Sequence, residues 1–485
     1  MDDAGISNAG REKWRDQDGE AGLKTGSSSL SATLDDTGSA APTGRLRNIL
    51  GNLGWLIGGK GFGAVCSIVY LAVLARSLGL KDFGHFSLIF GTGQALVAIA
   101  GFQTWQTVVR FGAGPLHAGN HRAFGRLAIL CGMIDAVGAL LGCIVAAVIY
   151  FGFADALGLN PDFVLMAFFF NCALLWARMT TASGVIRVLD RFDVAVYVEV
   201  IVPIGRLVAA LAIWGIGPSV AAFLAAWALI ELAAAAVYWV AAGRLAPDVL
   251  RRSNFGNFGK TIEENPGILR FLGITYVSST LDAVFKQGPL LAVGLFLSTS
   301  AAGLYRMAAQ IAQGLGKLGA LLARAIYAEI ARARVAISAQ HFRRLVAQVT
   351  AIATLAGAII SLIAIFAGHY VMLAIGGEAF VAGAALLVPL AIGSSLELAT
   401  IAYEPVLHSA GRAGLALLSR ASAIIATIVA AAVLIGAGSV GIAWAVTVGY
   451  LAAFLVITIV TWRILSAERD AHQEPDGAAS RSSEA

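Results

Sequence analysis

Apolar residues in this chain gather into long runs rather than into alternating or one-sided stripes. Between punctuating Gly, Pro and charged residues, largely apolar runs fall at 49–75, 84–109, 126–152, 163–186, 197–216, 219–243, 270–297, 302–330, 345–367, 382–409, 414–436 and 439–462. A helix needs about 20 such residues to cross a bilayer, so twelve spanning helices are expected. The eighth run is the least apolar, because it carries Arg306, Gln310, Gln313, Lys317 and Arg324.

Composition agrees with the pattern. Of 485 residues 58% are hydrophobic and 13% charged, and the mean hydropathy is +0.79. A soluble domain carries about 25% charged residues, so a water-soluble fold and a disordered chain are both excluded. The net charge of +5 divides unevenly: residues 1–44 carry −4, residues 463–485 carry −2, and the span between carries +11. A basic excess inside the membrane part suits cytoplasmic loops or an anionic partner within the bilayer, and no nucleic-acid face is expected. Residues 1–44 hold no apolar run suited to a cleavable signal peptide and read as a disordered cytoplasmic tail. Cys66, Cys131, Cys143 and Cys172 fall singly inside apolar runs, which indicates neither a disulfide framework nor a thiolate metal site.

Orientation follows from the Lys and Arg that flank the runs. With the N-terminus inside, 17 of them lie on the cytoplasmic side and two, Arg76 and Lys81, on the other. Both termini are therefore expected in the cytoplasm of a multi-pass inner membrane protein. External loops are short, the longest at about 368–381 with one carboxylate, Glu378, which leaves no room for an external catalytic domain.

The longest internal loop separates a first lobe at 45–243, a linker at 244–269 and a second lobe at 270–462, followed by a cytoplasmic tail at 463–485. A weak internal repeat supports the division. LAVLARSLGLKDFGHFSL (Leu71 to Leu88) aligns with LLAVGLFLSTSAAGLYRM (Leu290 to Met307), which sets Gly84 and Phe86 opposite Gly303 and Tyr305 at an offset of 219 residues. Each lobe has an even number of spans, so the repeats share one orientation and are related by an axis along the membrane normal. Two such lobes enclose a central cavity.

A charge at mid-membrane costs about 2.5–3.5 kcal/mol on insertion scales, and such residues face a bundle interior or an aqueous cavity. Lys60, Arg178, Arg206, Lys286 and Lys317 lie near mid-span, against the deep carboxylates Glu231, Asp282 and Glu397. The cationic surplus is expected to line the cavity and receive an anionic headgroup, diphosphate above all, through charge-assisted bonds. Two simpler readings stay open: Asp282 and Lys286, spaced i,i+4, neutralise each other, and Glu199 pairs with Arg206 seven residues on. Glu231 and Glu397 have no same-helix partner and, with Asp282, are the candidates for proton or sodium coupling. Arg306, Arg324 and Arg420, close to predicted helix ends, are expected to snorkel. Pro203, Pro289 and Pro389 interrupt helices, and Pro289, just after Lys286, is the candidate hinge. His117 and His121 sit in a loop without further ligands, no phosphate-binding loop or catalytic triad is present, and neither a metal nor a cofactor is called for.

The stretch Leu71 to Leu88, the LHSAGR ending of the tenth run (Leu407 to Arg412) and AIGGEAFVAGAALLVPLAI before it resemble the polysaccharide-export (Wzx-type flippase) branch of the MOP superfamily, which also holds MATE drug exporters. The resemblance covers about residues 45–463. It implies an all-α fold of two six-helix lobes around a V-shaped cavity, working by alternating access. It also implies transfer of an undecaprenyl-diphosphate-linked oligosaccharide between leaflets for exopolysaccharide, O-antigen (lipopolysaccharide) or capsule assembly, with membrane lipids, a polysaccharide polymerase and export machinery as partners. The alternatives are a MATE-like cation-coupled exporter of drugs or metabolites, to which an acidic cavity would be better suited, and a membrane-embedded glycan polymerase or ligase.

Overall fold

The computed structural model describes residues 42–153, 158–249, 251–256, 258–332, 339–403, 406–407 and 414–481, with side chains from Phe62 to Lys317 and from Arg343 to Ser466 apart from isolated positions. The expected N-terminal tail up to residue 41, the Lys60 and Arg324 side chains and most of the LHSAGR motif lie outside the described residues. The described residues 42–58, helical backbone, belong to one unit, and Gly59 onward forms a second that holds all the sites below.

All regular elements among the described residues are helical. In order they are α1 (Pro42–Ala100), α2 (Thr104–His117), α3 (His121–Gly152), α4 (Pro161–Ala177), α5 (Thr181–Val188), α6 (Phe192–Ile216), α7 (Val220–Leu245), α8 (Phe258–Glu264), α9 (Ile268–Phe296), α10 (Thr299–Arg332), α11 (Ala339–Gly376), α12 (Ala384–Ala399), α13 (Gly414–Leu434) and α14 (Gly438–Arg481). Among the described residues nine runs are long and apolar enough to cross a membrane. Two of them each hold two of the expected spans: Phe62–His117 is broken at Gly79, and Leu417–Ile464 at the short turn Ile435–Ala437. Counted with the more polar α10, helical segments occupy all twelve expected positions.

Local chemistry explains the ends. Asn120 and Ser219 accept hydrogen bonds from the first-turn N–H groups of α3 and α7, and Asn160 does so for α4, which begins with Pro161. Gly79 takes φ 73°, a conformation costly for any residue with a Cβ, and so turns the chain between the first two spans. Along α3, Leu140, Leu141, Ile144 and Val148 face outward, while Gly138, Ala139, Gly142 and Ala146 face inward. Small residues inside and branched apolar residues outside are what a helix packed in lipid requires.

Helices α2 to α7 pack on one another, as do α10 to α14, giving two lobes. The lobes meet closely at the expected external end. Gly303, the repeat partner of Gly84, lies directly against it: a Cβ on Gly303 would sit 3.3 Å from the Gly84 Cα and 2.9 Å from the Leu80 carbonyl oxygen. A Cβ on Gly84 would overlap the Thr299 carbonyl. Nearby, Phe83 meets Phe380 edge-on at 5.4 Å, and the Arg76 guanidinium donates to the carbonyls of Leu373, Ala374 and Ile375 at the C-terminus of α11 at 2.7–3.2 Å. Arg76, counted as a loop charge in the sequence, is thus a helix cap that ties the two lobes.

Candidate functional site

Among the described residues two spans break and resume, and the tenth stops short of its expected end. The second stops at Ala100 and resumes at Thr104 through a left-handed Gln103 (φ 50°), and the fourth stops at Ala177 and resumes at Thr181. The tenth stops at Ala399. Irregular backbone at membrane depth is tolerated where it lines a cavity, and the break in the fourth span carries Arg178.

Arg178 and Arg206 share one carboxylate. Glu231 Oε1 lies 2.7 Å from the Arg206 guanidinium and 3.1 Å from that of Arg178. The Glu231 and Arg206 side chains are 6% and 9% exposed, whereas Arg178 is 42% exposed, so one guanidinium of the triad is free to face a ligand. Glu231 has no partner on its own helix; its two partners come from α6 and from the end of α4. Glu199 pairs with Arg187 at 3.5 Å rather than with Arg206. Arg206 also lies over Phe90 and Trp227, with centroid distances of 5.3 and 5.5 Å, where aromatic faces help hold a cation away from water. Arg306 lies over the same Phe90 ring at 5.3 Å. It is therefore packed at the seam between the lobes instead of snorkelling.

This triad forms part of the wall of a cavity of about 730 Å³. The charged residues of that wall are Arg178, Arg187, Arg206 and Lys317 against Glu199 and Glu231, with Pro203, Tyr70, Tyr238, Ser183 and Gln310 among the others. The formal balance is two positive charges in a space of ordinary ligand-site size. Arg187, read in the sequence as an orientation marker, stacks on Trp105 at 4.3 Å and belongs to the cavity.

Lys286 stands apart from this group. Its ammonium is 3.1 Å from Asp282 and 3.8 Å from Glu397, so the same-helix pair exists and a third charge from α12 joins it. Two carboxylates thus meet one ammonium, and Arg420 adds a further positive charge nearby. It borders a second cavity of about 320 Å³, whose charged residues are Asp135, Asp282, Arg178 and Lys286. Arg178 is common to both cavities. Helix α9 runs through Pro289 without a break. Among the described residues no group of three or more His, Cys, Asp and Glu is placed to hold a metal ion.

Asp135 is the residue that sequence reading missed. Its carboxylate, on a residue 6% exposed, accepts from the Thr104 hydroxyl (2.7 Å), the Thr181 hydroxyl (2.8 Å) and the Thr181 N–H (3.0 Å). The polar run Thr180, Thr181, Ser183 and Gly184 inside an apolar span was the signal available for it.

Residues 49–327 match the model of the family described as polysaccharide biosynthesis protein, more than half of the chain. The chain belongs to that family. A relative in Escherichia coli (strain K12), inner membrane protein YghQ, is 24% identical over 294 residues, which is 60% of this chain and 82% of that protein. Among solved structures, the lipid II flippase MurJ in an inward closed conformation superposes with a TM-score of 0.63 at 10% identity, covering 84% of this chain and 87% of MurJ. An inward-facing multidrug resistance MATE transporter of the MOP superfamily gives 0.62 at 14% identity, covering 84% and 96%. At these identities the likeness establishes the fold alone, an all-α membrane fold of two lobes. Family and fold together make the chain an all-α multi-pass membrane protein of polysaccharide biosynthesis.

Proposed function

We propose that this member of the family moves an undecaprenyl-diphosphate-linked oligosaccharide from the cytoplasmic to the periplasmic leaflet, with both termini in the cytoplasm. The observation that carries the reading is the 730 Å³ cavity inside the bundle, whose wall holds four basic residues against two acidic ones. A diphosphate offers oxygens that satisfy guanidinium groups bidentately, and Arg178, half-exposed beside its buried partners, is positioned to take it first. Arg187, Arg206 and Lys317 complete the anion-binding wall. The glycan then occupies the polar remainder of the cavity near Tyr70, Tyr238, Ser183 and Gln310, and the polyprenyl tail stays in lipid.

Glu231 serves here as the counter-anion that the diphosphate displaces, not as an ion carrier. Coupling to a cation, if the cycle has it, falls to Asp282 and Glu397, where Lys286 now sits as a tethered cation. That pair of carboxylates is the observation favouring the second reading, a MATE-like cation-coupled exporter.

Deleting the gene distinguishes the two. The flippase reading expects lipid-linked repeat units to accumulate on the cytoplasmic leaflet while secreted polysaccharide is lost. Unchanged polysaccharide with heightened sensitivity to cationic drugs would support the exporter instead.

A further inference from the structure

Asp135 lies in the third span, yet every hydrogen bond it accepts comes from the start of a helix that resumes after a break. Thr104 opens α2 and Thr181 opens α5, and both are buried, at 0% and 1% exposure. The Thr180 hydroxyl joins them, donating to the Thr104 hydroxyl at 3.0 Å and accepting from the Trp105 N–H at 3.3 Å, while the Thr104 and Thr181 oxygens, whose protons both go to Asp135, lie 2.9 Å apart. One carboxylate thus ties the restart of the second span to the restart of the fourth. Buried networks of this kind lose more than one bond when a member is removed, because the remaining groups are left unsatisfied.

What the tie holds in place is Arg178. It is the C-cap of α4, with φ −92° and ψ 20°, two residues before Thr180. From that point its side chain reaches Glu231 and borders both cavities. One N–H at the start of each helix, that of Trp105 in α2 and that of Thr181 in α5, is committed to the same network.

We propose that Asp135 is a positioning residue for substrate: by knotting the breaks of the second and fourth spans through Thr104 and Thr181, it sets Arg178 in the wall shared by the two cavities. The proposal rests on the diphosphate reading above for its binding readout, and a stability readout stands independently of it.

The test uses the full chain in lipid nanodiscs, with farnesyl diphosphate as the probe. Asp135→Ala and Thr181→Val are each expected to weaken binding at least five-fold, and Thr181→Ser, which keeps the hydroxyl, is expected to bind as the unsubstituted chain does. Asp135→Ala should add nothing further in an Arg178→Ala background, yet keep its full effect in an Arg206→Ala background. A loss of the same size in both backgrounds would overturn the proposal, since general loosening of the fold makes no distinction between the two arginines. If the unsubstituted chain does not bind the probe, the functional reading fails and the cycle is read from melting temperature. There, non-additive effects of Asp135→Ala and Arg178→Ala support positioning, and additive effects overturn it. Should Asp135→Ala not fold, Thr181→Val carries the same comparisons.

Discussion

Glu231→Gln keeps the size of the side chain and removes the one charge held between two arginines, so it separates a substrate-facing triad from a merely structural one. A phosphate bound on the cavity side of Arg178 would stand about 7 Å from the Glu231 carboxylate, and like charges at that distance repel by about 2.4 kcal/mol at an effective dielectric constant of about 20. Removing the carboxylate should therefore tighten diphosphate binding by about 50-fold at most, less where water in the cavity screens the pair. Stability moves the other way. Arg206, 9% exposed, loses its partner at 2.7 Å, and breaking a buried pair costs about 3–5 kcal/mol. Arg178, 42% exposed, contributes under about 1 kcal/mol. The assay is farnesyl diphosphate titration of the folded variant in nanodiscs, paired with a melting curve. Tighter binding, a lower melting temperature and slower transport, the last because the resident anion no longer helps expel the product, form the expected set. A folded variant that binds the probe no better than the unsubstituted chain would refute the displacement argument.

Further outcomes follow from other parts of the molecule. Gly84→Ala places a methyl against the Thr299 carbonyl; overpacking of this order costs about 1–3 kcal/mol, enough to shift the population about 5- to 150-fold toward a state parted at that end, and spin-label distances across the seam should lengthen. Arg76→Gln, which uncaps α11, should shift them in the same direction by a smaller amount. Lys286→Met leaves Asp282 and Glu397 without their shared ammonium, so the variant's melting temperature should rise with added sodium more than that of the unsubstituted chain. An identical sodium response in both proteins would show that these carboxylates do not form a cation site.

Hydropathy alone placed all twelve helical positions, because lipid makes the apolar run itself the signal. The repeat was legible too, and Gly84 meeting Gly303 gives it a physical meaning: both are glycine because the lobes cross there. The i,i+4 pair of Asp282 and Lys286 could be read from spacing. Glu231 could not, since its partners are 25 and 53 residues away in sequence, and a same-helix rule assigns it none. Asp135 was hidden for the same reason, its partners lying 31 and 46 residues off. The breaks before Thr104 and Thr181 carry no proline, so their position depends on tertiary hydrogen bonds that no local pattern encodes. Arg187, counted toward topology in the sequence, also lines the larger cavity, which a loop-charge count has no means of showing.

The central claim is that the cationic cavity carries a diphosphate-linked lipid. It is tested most directly by reconstituting the purified chain into vesicles and measuring, leaflet by leaflet, the movement of a polyprenyl-diphosphate oligosaccharide and of the same glycan on a neutral polyprenol. The account predicts translocation of the diphosphate form alone, abolished by Arg178→Gln in a protein that remains folded. Equal movement of both lipids, or full activity in Arg178→Gln, would contradict it.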